Sequence, residues 1–173
     1  VSVSLDDAYV QTCLQILRAL AGQLEKAEDH CKTAGVSPET LTEARLAPDM
    51  WPFAKQVFEA GHHSARAIEG VRAGLFGPEL DPVPSDFPTL REQVAQSIAT
   101  LEGVAPGELD AIADRDMRFE FKSHRMDFTV ADFLLSFSLP NFFFHATTAY
   151  DLLRSQGVAI GKRDFLGQAR GKA

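Results

Sequence analysis

Apolar residues recur at intervals of three and four along four separate stretches of this chain, the spacing of one face of an α-helix. The first stretch runs through Leu5, Tyr9, Cys13, Ile16, Leu20, Leu24, Ala27 and Cys31. It predicts a helix over 6–34, opened by a Ser4–Asp7 capping box and ended by Gly35. Ser37-Pro38-Glu39-Thr40 then starts a short element that ends near Arg45, and a loop with two prolines follows it. The second long helix is predicted from Trp51 to about Ala73 on Phe53, Val57, Ala60, Ser64, Ile68 and Val71. His62 points away from that stripe and is expected in solvent, whereas Gln56, Glu59 and His63 share one flank of it. Gly74 to Pro84 reads as a loop. A third helix, capped by Ser85 or Asp86, buries Leu90, Val94, Ser97 or Ile98, and Leu101, and stops at Gly103.

The period then changes to two. Met117, Phe119 and Phe121 alternate with Arg118 and Glu120, and Met126 and Phe128 resume the alternation after Lys122–Arg125. That pattern predicts a hairpin with one apolar face. Thr129-x-x-Asp132 caps the fourth helix, which runs to Gln156, with Pro140 expected to bend it. The fold class is therefore mainly all-α: a four-helix bundle with a short β-hairpin inserted before the last helix. One domain is expected over residues 1–173, with an extended tail from about 158 that docks through Ile160, Phe165 and Leu166.

The fourth helix breaks its own pattern. Its stripe is Leu134, Phe137, Asn141, His145, Thr148 and Leu152, so three polar side chains lie where a core is expected. An inward imidazole can ligate a transition metal or move a proton, and Asn can orient a ligand. Glu59 and His63, one turn apart on the second helix, could supply a carboxylate and an imidazole from across the bundle. The set His145, His63 and Glu59 is thus a candidate site for a divalent metal such as Zn or Ni with open positions. Asn141, His145, Thr148 and Asp49, the last in the proline loop, are candidate contacts to a small molecule. The bland reading of each stands beside this: a buried His or Asn satisfying a backbone carbonyl, Asp49 as a helix cap, and Thr148 bonded to its own helix.

Composition narrows the function classes. A net charge of −7 over 173 residues argues against binding a phosphate backbone. No apolar run is long enough to span a membrane and no leader opens the chain, so a cytoplasmic protein without membrane or nucleic-acid partners is expected. Cys13 and Cys31 would lie about 27 Å apart along one helix, out of disulfide reach, and are expected as reduced thiols. No phosphate loop, nucleophile elbow, dinucleotide fingerprint or HExxH motif occurs.

Three segments together resemble a known family. They are SLxDAYVxxxxQxLxxL from Ser4, LxxARLAPDMxPFxxQV over 41–57, and LPNFFFHATTAYDLLRSQGVxIGKRDFLG over 139–167. The combination resembles the DUF1993 family, across essentially the whole chain. That family is in turn similar in fold to the DinB/YfiT-like superfamily, in which a helix-2 histidine and a His-x-x-x-His pair on the last helix bind a divalent metal. The resemblance implies that Asn141 and His145 occupy the pair's positions, with Asn141 a departure from it, and that His63 stands for the helix-2 ligand. Two functions remain open from the sequence. One is a small-molecule binder or non-catalytic scaffold. The other is a metal-dependent hydrolase or transferase with His145 as a ligand. Either is compatible with a homodimer.

Overall fold

The computed structural model describes residues 3–172. A π-helical turn, Asp6–Val10, leads into α1 (Gln11–Ala34), and the Asp7 N–H donates to the Ser4 hydroxyl oxygen at 3.0 Å. The whole predicted stripe of this helix is buried, and Gly35 closes it in the left-handed conformation at φ 67°. After α2 (Glu39–Thr42), Pro52 is extended and α3 covers Phe53–Gly61. The expected second helix thus begins two residues late, and Trp51 stays outside it. A second π-helical turn, His62–Arg66, joins α3 to α4 (Ala67–Ala73). The third helix, α5 (Phe87–Glu102), is capped by Asp86, whose carboxylate accepts from the Thr89 N–H at 2.9 Å.

The sheet has one strand more than the hairpin pattern predicts. Strands β2 (Asp116–Phe121) and β3 (His124–Thr129) pair antiparallel, with Phe121 opposite His124, so the turn is two residues rather than four. Lys122 takes the left-handed conformation that this tight turn demands, at φ 54°. Inside the expected 74–84 loop, Leu75–Phe76 forms β1, parallel to β2, with Phe76 aligned to Phe119. Two residues carry no alternation to read, but two glycines mark the place. A Cβ on Gly70 would sit 3.0 Å from the Phe76 ring, and one on Gly77 would sit 2.7 Å from the Glu120 carbonyl oxygen. Only glycine lets this segment lie so close to helix and sheet.

Thr129 caps the last helical stretch, its hydroxyl accepting from the Asp132 N–H at 3.1 Å. The stretch consists of α6 (Val130–Asp132), a third π-helical turn (Phe133–Ser138) and α7 (Leu139–Ser155). Pro140 has no N–H to offer the ladder, and it lies two residues beyond this wide turn. The tail is not wholly extended: α8 (Lys162–Leu166) packs on α1, with Gln15 and Gln23 side chains donating to the Leu166 and Asp164 carbonyls. Val158 and Ile160 are buried there, whereas Leu166 is exposed.

Helices α1 and α3 each pack against both α5 and α7, which sets the ring order α1–α5–α3–α7 and closes the four-helix bundle. Packed between α5 and α7, α3 is covered on both flanks, and β1 packs on α4 beyond it. That position, with the π-turn at its end, creates the site.

Candidate functional site

Three π-helical turns, from three different helices, meet in the interior. A π-turn widens the ladder and leaves carbonyls short of partners, which is costly unless other groups reach them. Here the Tyr9 and Ser138 hydroxyls both donate to the His63 carbonyl, at 2.8 and 2.9 Å, and the Ser64 carbonyl lies 3.3 Å from the Tyr9 hydroxyl. Burial, with a smaller contribution from Cys13, pushes the Tyr9 phenol well above its ordinary range. It therefore stays protonated and remains a donor. This node fixes the backbone beneath His63.

On that backbone, Glu59, His63 and His145 converge: one ligand atom from each lies within 4.8 Å of the others, the sole such group among the described residues. All three are buried, with 4%, 7% and 5% of their surface exposed. The His63 and His145 rings are stacked, with centroids 5.7 Å apart and planes 17° apart. Trp51 also stacks on His145, at 5.8 Å and 17°, so His145 is the ring the other two share.

The protonation of His145 follows from its neighbours. The Trp51 carbonyl can only accept, and the Gln56 amide nitrogen donates to it at 3.1 Å. The Gln56 oxygen is thereby turned toward His145, whose Nδ1 lies 2.7 Å away and must carry the proton. Nε2 is left with a free lone pair, the arrangement in which an imidazole binds a metal. Burial first, then the Lys55 charge and His62, hold this imidazole's pKa down at about 4. Burial, then His62 and His145, hold His63 at about 3. Both are neutral near pH 7. Glu59 is held from one side only: Oε1 accepts from the Lys55 ammonium at 2.7 Å, while Oε2 lies 3.9 Å from His63 Nε2.

These three donors fit a divalent transition metal. Two imidazoles and a carboxylate suit zinc, nickel or iron and leave positions open. Two ligands about 2.1 Å from one ion can be at most about 4.2 Å apart, so a small side-chain rotation would close the set. A buried His63 Nδ1 without a partner among the described residues shows that hydrogen bonding within the protein does not satisfy this imidazole.

Other candidates sit elsewhere. Asn141 lines the cleft in front of the donors, half-buried, its amide donating to the Phe137 carbonyl at 2.7 Å. Thr148 does not reach the cleft, because its hydroxyl donates back to the Phe144 carbonyl at 2.7 Å. Asp49 is exposed in the proline loop, which turns Trp51 rather than Asp49 toward His145. His62, expected in solvent, is 5% exposed: its Nε2–H donates to the Gly77 carbonyl at 2.9 Å and its ring packs on Phe76. The β1 segment covers the flank that an isolated helix would leave wet.

Gln56, Lys55, Trp51 and Ser138 were not predicted as parts of a site. Lys55, Glu59 and His63 do follow one another at intervals of four, a readable signal of one helix face. The Tyr9–Ser138 node leaves no trace in sequence. The cleft itself has a volume of about 290 Å³. A larger cavity of about 370 Å³ lies between α3 and α5 and holds none of the three donors. No helix among the described residues is long and apolar enough to cross a membrane.

Comparison with known proteins agrees with this architecture. None of the curated proteins matches the chain. A solved structure of a DinB family member from Shewanella denitrificans superposes with a TM-score of 0.82 at 26% identity, covering 98% of this chain and 95% of that one. The family described as "Domain of unknown function (DUF1993)" matches residues 5–166, so the chain belongs to the DUF1993 family and carries it on a DinB-like helical fold.

Proposed function

We propose that the cleft is a divalent-metal centre, held by His63, His145 and Glu59, that serves a small molecule. The observation that carries this reading is the convergence of three buried donors within 4.8 Å, one of them with its free nitrogen set by the Gln56–Trp51 chain. A bound ion would supply Lewis acidity, polarising a carbonyl or making a bound water or thiol nucleophilic at neutral pH, as hydrolysis or group transfer requires. The chain's own residues do the rest. Tyr9 and Ser138 hold His63, Gln56 orients His145, and Lys55 pins one oxygen of Glu59. The aromatic walls limit water. Asn141, where the superfamily pattern has a second histidine, faces the same cleft, and Glu59 takes the third ligand position from across the bundle.

A second reading has its own support. Lys55 already neutralises Glu59, as it would in a small-molecule cleft or scaffold that needs no ion. Metal analysis of protein purified without an affinity tag separates the two. One equivalent of zinc, nickel, iron or manganese, lost in His145→Ala, is the expected result. Absence of metal after reconstitution with each ion would leave only the second reading.

A further inference from the structure

We propose that the molecule this cleft receives is a small aromatic acid, its ring held by the aromatic walls and its anionic group at the His63–His145–Glu59 centre. The head-group half of this inference rests on the metal reading, and the ring half stands on the walls. A volume of about 290 Å³ is at the lower edge of small-molecule pockets, roughly 300–1,000 Å³, and too small for a polymer segment.

The walls decide the chemistry. Trp51, Phe76, Pro78, Phe119, Phe137 and Phe144 line the cleft around the polar centre. They come from the proline loop, β1 and the chain just after it, β2, the third π-turn and α7, so several elements are aligned to make one apolar surface. The parallel register sets Phe76 beside Phe119, and Phe119 packs on Phe137 with centroids 5.0 Å apart. At the mouth, Trp51 and Phe144 flank His145 and remain 48% and 54% exposed. Large rings left in water on both sides of a buried centre are surface that a flat ring would cover.

Polar groups that could hold a sugar or a peptide are scarce. Beyond the three donors and the aromatic walls, the lining offers only Asn141, one of whose amide protons goes to the Phe137 carbonyl, and His62, whose N–H goes to the Gly77 carbonyl. Charge then selects the head group. Lys55 offsets Glu59, so a divalent ion beside two neutral imidazoles leaves the centre positive, and an anion is its complement.

The chain's single tryptophan is Trp51, so its fluorescence reports on the mouth of this cleft. Benzohydroxamate and acetohydroxamate share one metal-binding head and differ by the ring. Each is titrated against zinc-loaded and metal-free protein, with zinc content measured separately. Benzohydroxamate is expected to bind zinc-loaded protein at least about tenfold more tightly than acetohydroxamate. Phe144→Ala, at an exposed position that does not threaten the fold, should cut that ratio at least about threefold with zinc content unchanged. Zinc bound with equal affinity for the two probes overturns the inference and leaves the metal reading intact. If neither zinc nor nickel, iron or manganese binds, the metal reading falls alone. The ring preference is then judged by the same ratio in metal-free protein: a tenfold preference supports it and parity overturns it.

Discussion

Adjacent histidines on one π-turn both line the cleft and end in different circumstances. His62 turns to the sheet side, where its N–H is spent on the Gly77 carbonyl and its ring is packed against Phe76. His63 turns to the α7 side, where its ring stacks on His145 and its Nε2 faces Glu59. Burial lowers the pKa of both. The difference is partnership. Nδ1 of each is buried without a partner among the described residues, but Nε2 of His62 is bonded to a backbone carbonyl, which makes it part of the scaffold, whereas Nε2 of His63 meets other ligand atoms and is available for chemistry. Burial alone does not tell a site from a core.

The largest expected contrast breaks the pair apart directly. His63→Ala should lower metal affinity by about 100-fold or more, since it removes a ligand. His62→Ala should leave one metal per chain and cost about 1–3 kcal/mol of stability, because the Gly77 carbonyl and the Phe76 packing lose their partner. Metal content and urea denaturation measured on both variants test this. Equal metal loss in the two would mean that the sheet side belongs to the site as well.

Acid should sharpen the contrast next. His63 and His145 are held at about 3 and about 4 in the folded protein, whereas an unfolded histidine titrates near 6.5. Above about pH 6.5 both states are neutral and the stability is fully present. As the pH falls toward about 4, the unfolded chain takes up protons that the folded one refuses. Metal-free protein should then lose about 1.4 kcal/mol per pH unit for each such histidine. In His63→Ala the slope between pH 4.5 and 6.5 should be shallower by one histidine's share, measured by urea denaturation across that range. Identical slopes would show that His63 protonates as freely folded as unfolded.

How much of this could be read in advance depended on whether the cause was local. The α1 stripe, the Asp86 and Thr129 caps and the β2–β3 alternation are set by neighbours a few residues apart, and the chain displays them. Glu59, His63 and His145 were visible too, because each is a polar residue at helical spacing near an apolar stripe. Their meeting depends on α3 lying against α7, which spacing cannot state. His62 was misplaced for a related reason. Helical periodicity assigns one wet flank, but a two-residue strand, whose approach rests on Gly70 and Gly77, dries it. The Thr148 hydroxyl, in turn, is satisfied within its own helix, an outcome a stripe of positions does not distinguish from an inward contact.

The smallest effect concerns the node beneath His63. Tyr9 and Ser138 both donate to the His63 carbonyl, so each covers for the other. Tyr9→Phe or Ser138→Ala alone leaves that oxygen with one partner and should cost about 1 kcal/mol. The double variant leaves a buried carbonyl at the π-turn with neither hydroxyl, and should cost about 1 kcal/mol more than the sum of the singles. Because the node supports the backbone and touches no ligand atom, metal affinity should fall by less than about tenfold throughout. A double-mutant cycle by urea denaturation, with zinc titration of each variant, tests both parts. Simple additivity would show that the two hydroxyls act independently. An affinity loss as large as that of His63→Ala would mean that the π-turn itself, rather than the imidazole it carries, holds the centre together.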